Sequence, residues 1–113
     1  MLYDPRHEQQ TGVILLRAAS NVRERGLAKH TQEDTLGRVC LHGAISIAAY
    51  GLPHVHGETG QQADRAVCRY LKSQGIIVCD AGAAHWNNAD ERTAEEVIAA
   101  LEGAAMAEMA GQR

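Results

Sequence analysis

Cys40 is the residue whose type and position most directly suggest catalysis. It lies near the start of the run Val39 to Tyr50, which contains no Asp, Glu, Lys or Arg and which we expect to be helical. A helix N-terminus lowers the pKa of a thiol and favours the nucleophilic thiolate. His85 and Asn87 follow in the order base and orienting residue, as in papain-like proteases. One hypothesis is therefore a thiol hydrolase or transferase, and the other is a buried cysteine that packs as a small hydrophobic residue.

A zinc site is a second chemical hypothesis, because thiolate and imidazole are suitable zinc ligands. Cys40 and His42 are two residues apart, and so are His54 and His56. The spacing departs from the usual pairs of zinc ligands, and residues two apart on a helix point to different sides. The alternative is that the loop histidines are exposed and one packs against the core. We therefore expect no metal and no other cofactor.

The turn around the single tryptophan is a third candidate, this time for recognition. Trp86, Asn87 and Arg92 could form a binding surface, since Trp and Arg are common among residues that dominate binding energy. Thr93 and Glu96 have the spacing of a capping box, which predicts that a helix begins here. The structural alternative is that Trp86 fills the core and its polar neighbours brace the turn.

Composition limits the classes of protein that the chain can belong to. It has 113 residues and a formal net charge of −3, without a basic cluster, so we expect no binding to nucleic acid. No apolar run reaches the roughly 18 residues that a membrane-spanning helix needs. Three cysteines without framework spacing and a polar N-terminus predict reduced thiols and a cytoplasmic protein.

Hydrophobic periodicity predicts an all-α fold, a compact array of about four helices in a single domain over residues 1–113. Val, Ile, Leu and Phe together supply only 22 residues, whereas there are 19 alanines, so we expect a thin core of closely packed helices. Residues 1–11 are expected to be an extended arm, residues 76–79 a short extended segment, and residues 80–90 a loop. The predicted helices cover residues 12–25, 39–50, 61–73 and 94–109.

Three groups of residues, spread from Leu15 to Ala105, carry a family resemblance. The first group is Leu15, Leu16, Ala18 and Ala19 with Glu24, Arg25 and Gly26; the second is Cys40, Leu41, Gly43 and Ala44; the third is Trp86, Asn87, Arg92, Thr93 and Val97. The chain resembles a family of small proteins of unknown function from actinobacteria and their phages. Asn88 stands where that family usually has Asp. The resemblance implies a small cytosolic helical protein and no particular reaction.

These observations together predict a non-enzymatic protein that acts by protein–protein interaction. The partner would be another protein, in a host-directed role if the chain is phage-encoded, or a second copy of the chain in a homodimer. A thin core leaves apolar surface that such a partner could cover. The binding residues would be Trp86, Asn87 and Arg92.

Overall fold

Five α-helices make up most of the part of the chain that the structure describes. The structure, a computed structural model, describes residues 6–76 and 82–111. The helices are α1 (Arg6–Arg25), α2 (Leu41–Tyr50), α3 (Glu58–Ser73), α4 (Ala83–Asn88) and α5 (Ala94–Ala110). Within the described ranges there is no strand, only isolated bridges from Val39 to Leu27 and to Glu33. The expected all-α fold is therefore confirmed, and none of these helices is long and apolar enough to cross a membrane.

The core forms where α1 and α5 pack side by side in opposite directions, with α2 and α3 closing it. Gly12, near the start of α1, lies against Met109 near the end of α5. The largest side chains that are fully buried include Leu15, Val22, Leu41, Leu71, Val97 and Leu101, and alanines fill the space between them. The thin Ala-rich core that composition predicts is thus built from helices in close contact.

The expected extended arm over residues 1–11 is wrong for residues 6–11, which belong to α1. Thr11 is buried, and a side chain at Gly12 would collide with Met109. Packing against α5 therefore stabilises helical structure on the N-terminal side of residue 12, where periodicity placed the start of the helix. Residues 1–5 lie outside the described residues.

Three further boundaries differ from the sequence prediction. The predicted loop 80–90 contains α4, which at six residues is too short to show a helical period. α3 begins at Glu58 rather than residue 61, and α2 begins at Leu41 because Val39 pairs with neighbouring loop residues. Of the expected extended segment 76–79, residues 77–79 lie outside the described part of the chain.

The loop between α1 and α2 folds back on itself and then packs against α2. The Val39 N–H donates to Gly26 O at 3.0 Å, and Val39 O accepts from the Ala28 N–H at 2.9 Å. The Cys40 N–H donates to Gln32 O at 3.2 Å. These hydrogen bonds bring the loop so close to α2 that a Cβ built at Gly43 would lie 1.9 Å from the carbonyl oxygen of Gln32. Gly43 is therefore the point at which loop and helix meet without a side chain between them.

We expect Gly43→Ala to lower the free energy of unfolding by about 2–3 kcal/mol, because the new methyl group must displace backbone rather than a flexible side chain. Gly60→Ala is the matched control in a helix. Its Cβ would meet Tyr50 no closer than 3.4 Å, so we expect no loss and a gain of up to about 1 kcal/mol. Urea unfolding of both variants and the wild type measures the difference. Equal stabilities for the two variants would contradict the close approach at Gly43.

Candidate functional site

Asn87 is the buried polar residue that ties the tryptophan turn to the rest of the fold. Its side chain is 1% exposed. Its Oδ1 accepts from the backbone N–H of Leu41 at 3.1 Å, and its Nδ2 donates to the carbonyl of Ala28 at 3.1 Å. One amide thus connects α4 to the first residue of α2 and to the loop that follows α1. Because Asn87 is buried and fully engaged, its part in any recognition surface would be to hold its neighbours in place.

Trp86 and Arg92 form a stacked pair at the edge of the same turn. Trp86 is half-buried against the core, and the Arg92 guanidinium carbon lies 4.3 Å from its ring centroid. Arg92 Nε donates to Trp86 O at 3.0 Å, and its Nη1 contacts a Glu96 carboxylate oxygen at 3.1 Å. The expectation that Trp86 fills the core therefore holds only in part. Trp86 covers the edge of the core, whereas the adjacent Asn87 is the residue that is fully enclosed.

The predicted capping box is present at the start of α5. The Glu96 N–H donates to Thr93 Oγ1 at 3.2 Å, and the Thr93 N–H donates to Glu96 Oε1 at 2.9 Å. The hydrogen bond from the Thr93 backbone, together with Arg92, lowers the pKa of Glu96. On the other side of the turn, Lys29 Nζ donates to the carbonyls of Ala89 and Arg92. The turn is therefore held from both sides.

Cys40 is the N-cap of α2, but its environment is the opposite of what a nucleophile needs. The side chain is 8% exposed, and Sγ accepts from the Gly43 N–H at 3.3 Å. Burial raises the pKa of the Cys40 thiol even though backbone N–H groups favour the thiolate. Of the other members of the proposed triad, His85 is exposed on α4 and Asn87 is engaged with backbone groups. The geometry thus favours the alternative of a buried structural cysteine.

The proposed zinc ligands are only partly brought together. His42 and His56 line one pocket, whereas Cys40 caps a helix and His54 is exposed. Among the described residues, no group of three or more His, Cys, Asp or Glu side chains could hold a metal ion. The geometry therefore gives the zinc hypothesis no support in that part of the chain.

The pocket itself contains a pair that sequence reasoning missed. His42 Nε2 lies 2.6 Å from Asp64 Oδ1, and both side chains are partly exposed. His42 is in the first turn of α2 and Asp64 is in α3, 22 positions later in the chain. No local pattern links two residues on different helices, so only the packing of α2 against α3 reveals the pair.

Comparison with known proteins identifies the family. A model described as a family of unknown function (DUF6197) matches residues 7–107, and the chain therefore belongs to this family. The expected relation to a family of unknown function is confirmed. No curated protein and no solved structure was found to match.

We expect Asn87→Ala to lower the free energy of unfolding by about 2–4 kcal/mol. It leaves the Leu41 N–H and the Ala28 carbonyl without their partner, and a buried polar group that loses its hydrogen bond costs roughly 1–3 kcal/mol. Asn88→Ala is the comparison on the neighbouring residue. It removes an exposed contact to the His30 N–H and a part-buried contact from Asn87 Nδ2 at 3.3 Å, but it leaves the two backbone partners of Asn87 in place, so it should cost only about 1 kcal/mol. Chemical denaturation of both variants measures the two losses. Equal losses of unfolding free energy in the two variants would show that Asn87 is not the residue that holds these segments together.

We expect Cys40 to react with iodoacetamide at neutral pH at least about tenfold more slowly than free N-acetylcysteine, because it is buried and its thiol pKa is raised. Peptide mass spectrometry at timed intervals separates Cys40 from the other cysteines. Denaturant should remove the protection. A rate above that of N-acetylcysteine in the folded protein would revive the nucleophile hypothesis.

Proposed function

We propose that this member of the DUF6197 family is a non-enzymatic protein that recognises a protein partner through the face around Trp86 and Arg92. The observation that carries the proposal is the stacked pair itself, a half-buried Trp ring with a guanidinium 4.3 Å from its centroid. Trp and Arg are enriched among residues that dominate the binding energy of interfaces. A partner would meet this pair already in position.

Rigidity of the pair supports recognition because a surface that is ordered before binding loses less entropy on binding. Asn87 fixes the backbone beneath Trp86, and the capping box fixes the residue that follows Arg92. Asn87 therefore belongs to the proposed site as a positioning residue. Trp86 and Arg92 would make the contacts.

Charge around the pair indicates the chemistry of the partner. Asp90, Glu91 and Glu95 are exposed next to it in the turn and in the first turn of α5. Lys29, whose Nζ is bonded to carbonyls of the turn, offsets one of these three charges and leaves the face acidic. The ion pairs of the described residues use other carboxylates. We therefore infer a partner segment that carries Lys or Arg together with an apolar residue for Trp86, and acidic residues would also speed its association.

A second copy of the chain is the other partner that we consider. Val13 and Leu16 on α1 are each 39% exposed, and Met106 on the adjacent α5 is 62% exposed. These apolar side chains could be covered in a homodimer. The proposed setting is the cytoplasm, where Cys40 and Cys68 would remain the free thiols that they are here. A phage-encoded, host-directed role remains part of the proposal, and it rests on the resemblance to proteins of actinobacteria and their phages.

We expect reversal of the acidic charges, in the double variant Glu91→Lys and Glu95→Lys, to abolish capture of the partner from a lysate of the native source. The immobilised wild type and variant are compared by quantitative mass spectrometry at low and at high salt. Proteins captured by the wild type but not by the variant should be basic. They should no longer be captured at high salt, because salt screens their attraction to the acidic residues.

The matched control is the double variant Glu24→Lys and Glu58→Lys, which reverses two exposed carboxylates, one on α1 and one in the first turn of α3. It should retain the same proteins as the wild type. Loss of capture with both reversals, or with neither, would contradict an interface at Trp86 and Arg92. Sedimentation of the wild type at several concentrations tests the homodimer, and a monomer throughout would eliminate that partner.

A further inference from the structure

The pocket between α2 and α3 has the features of a binding site for a small molecule. We propose that it takes an uncharged organic ligand with an apolar body and one hydroxyl group, and that His42, oriented by Asp64, accepts a hydrogen bond from that hydroxyl. This site is separate from the face around Trp86 and does not depend on the protein partner proposed above.

The pocket is small, partly open to solvent, and has mixed walls. Its volume is about 220 Å³. Ile45 of α2 and Val55 of the following loop supply apolar wall, and His42, Asp64, His56 and Gln61 supply polar groups. Apolar walls with a few polar groups are typical of small-molecule sites. A single aromatic ring is a suitable probe for a pocket of this volume.

The pairing with Asp64 determines which atom of His42 can bind a ligand. An ionised carboxylate only accepts hydrogen bonds, so at 2.6 Å the Nε2 atom carries the proton and donates it to Asp64 Oδ1. In the neutral ring Nδ1 is then an acceptor, and no described residue donates to it. A carboxylate that holds an imidazole in one tautomer is a common way to prepare it for a ligand. Because His42 lines the pocket, we assign its Nδ1 as the acceptor for the ligand.

Two other polar groups of the pocket, Ser46 Oγ and Gln32 Oε1, are already used by the protein. Ser46 Oγ donates to Leu52 O and accepts from the Val55 N–H at 3.0 Å, and Gln32 Oε1 accepts from the His54 N–H at 2.8 Å. The Asp64 carboxylate disfavours an anion beside it. We therefore infer a neutral ligand that donates to His42 and packs on Ile45 and Val55, with His56 and Gln61 as further polar groups of the wall.

The loop that closes the pocket is held in an uncommon conformation. His54 has φ of 62°, in the left-handed region that residues other than glycine seldom adopt. Its N–H is bonded to Gln32, and the strained residue places Val55 and His56 on the pocket wall. Strain of this kind is often found where a loop shapes a ligand site.

Phenol and anisole are matched probes for this site, since they share the ring and only phenol can donate a hydrogen bond. Each is titrated into ¹⁵N-labelled protein, and backbone amide shifts give the site and the Kd. We expect phenol shifts to saturate and to centre on His42, Ile45, Val55 and Gln61, with a Kd at least about tenfold below that of anisole. Scattered shifts without saturation, or an equal Kd for the two probes, would overturn the proposal on the wild type alone.

Two variants test the role of the pair. Asp64→Ala removes the acceptor of the Nε2 proton, so no carboxylate holds the ring in the tautomer that leaves Nδ1 as an acceptor. We expect the advantage of phenol over anisole to disappear in this variant. Glu24→Ala, which removes a carboxylate from the exposed surface of α1, should leave that advantage unchanged. If Asp64→Ala folds and still prefers phenol by tenfold, Asp64 does not orient the acceptor and the proposal fails.

Discussion

The buried amide of Asn87 is the interaction on which the arrangement of this protein depends. Three segments that are distant in the chain meet at one side chain: α4, the start of α2 and the loop after α1. A buried amide must have its hydrogen bonds made, so the three segments can come together in only a narrow set of positions. The start of α2 is held directly by this amide, and the start of α5 is connected to α4 by the hydrogen bond from Arg92 Nε to Trp86 O.

A thin core imposes the second constraint. With few large apolar side chains, the helices and loops gain contact by close approach, and glycine provides the room. Gly43 admits the carbonyl of Gln32, and Gly103 of α5 admits the ring of Tyr70, whose Cζ would lie 2.2 Å from a Cβ at that position. The core is therefore defined by complementary shape as much as by hydrophobic area.

Both constraints bear on Cys40, the residue that the sequence offered as a nucleophile. Cys40 caps α2 at the point where the loop after α1 packs tightly against that helix, and burial raises its thiol pKa. Partly exposed groups lie to either side of Cys40. They are the stacked Trp86 and Arg92 on one side and the His42–Asp64 pocket on the other. Both arrangements are suited to binding, because their polar groups are already oriented.

The sequence by itself determined the helical class, the thin Ala-rich core and the capping box at Thr93, because these depend on composition and on residues within one turn of each other. The types of Trp86 and Arg92 also led to the proposal, still to be tested, that they are binding residues. The tertiary structure decided that α1 begins at Arg6, that Asn87 rather than Trp86 is enclosed, and that His42 meets Asp64. Each of these depends on packing between segments distant in the chain. Local periodicity carries no information about such contacts, since the free energy that selects them arises only when the segments meet.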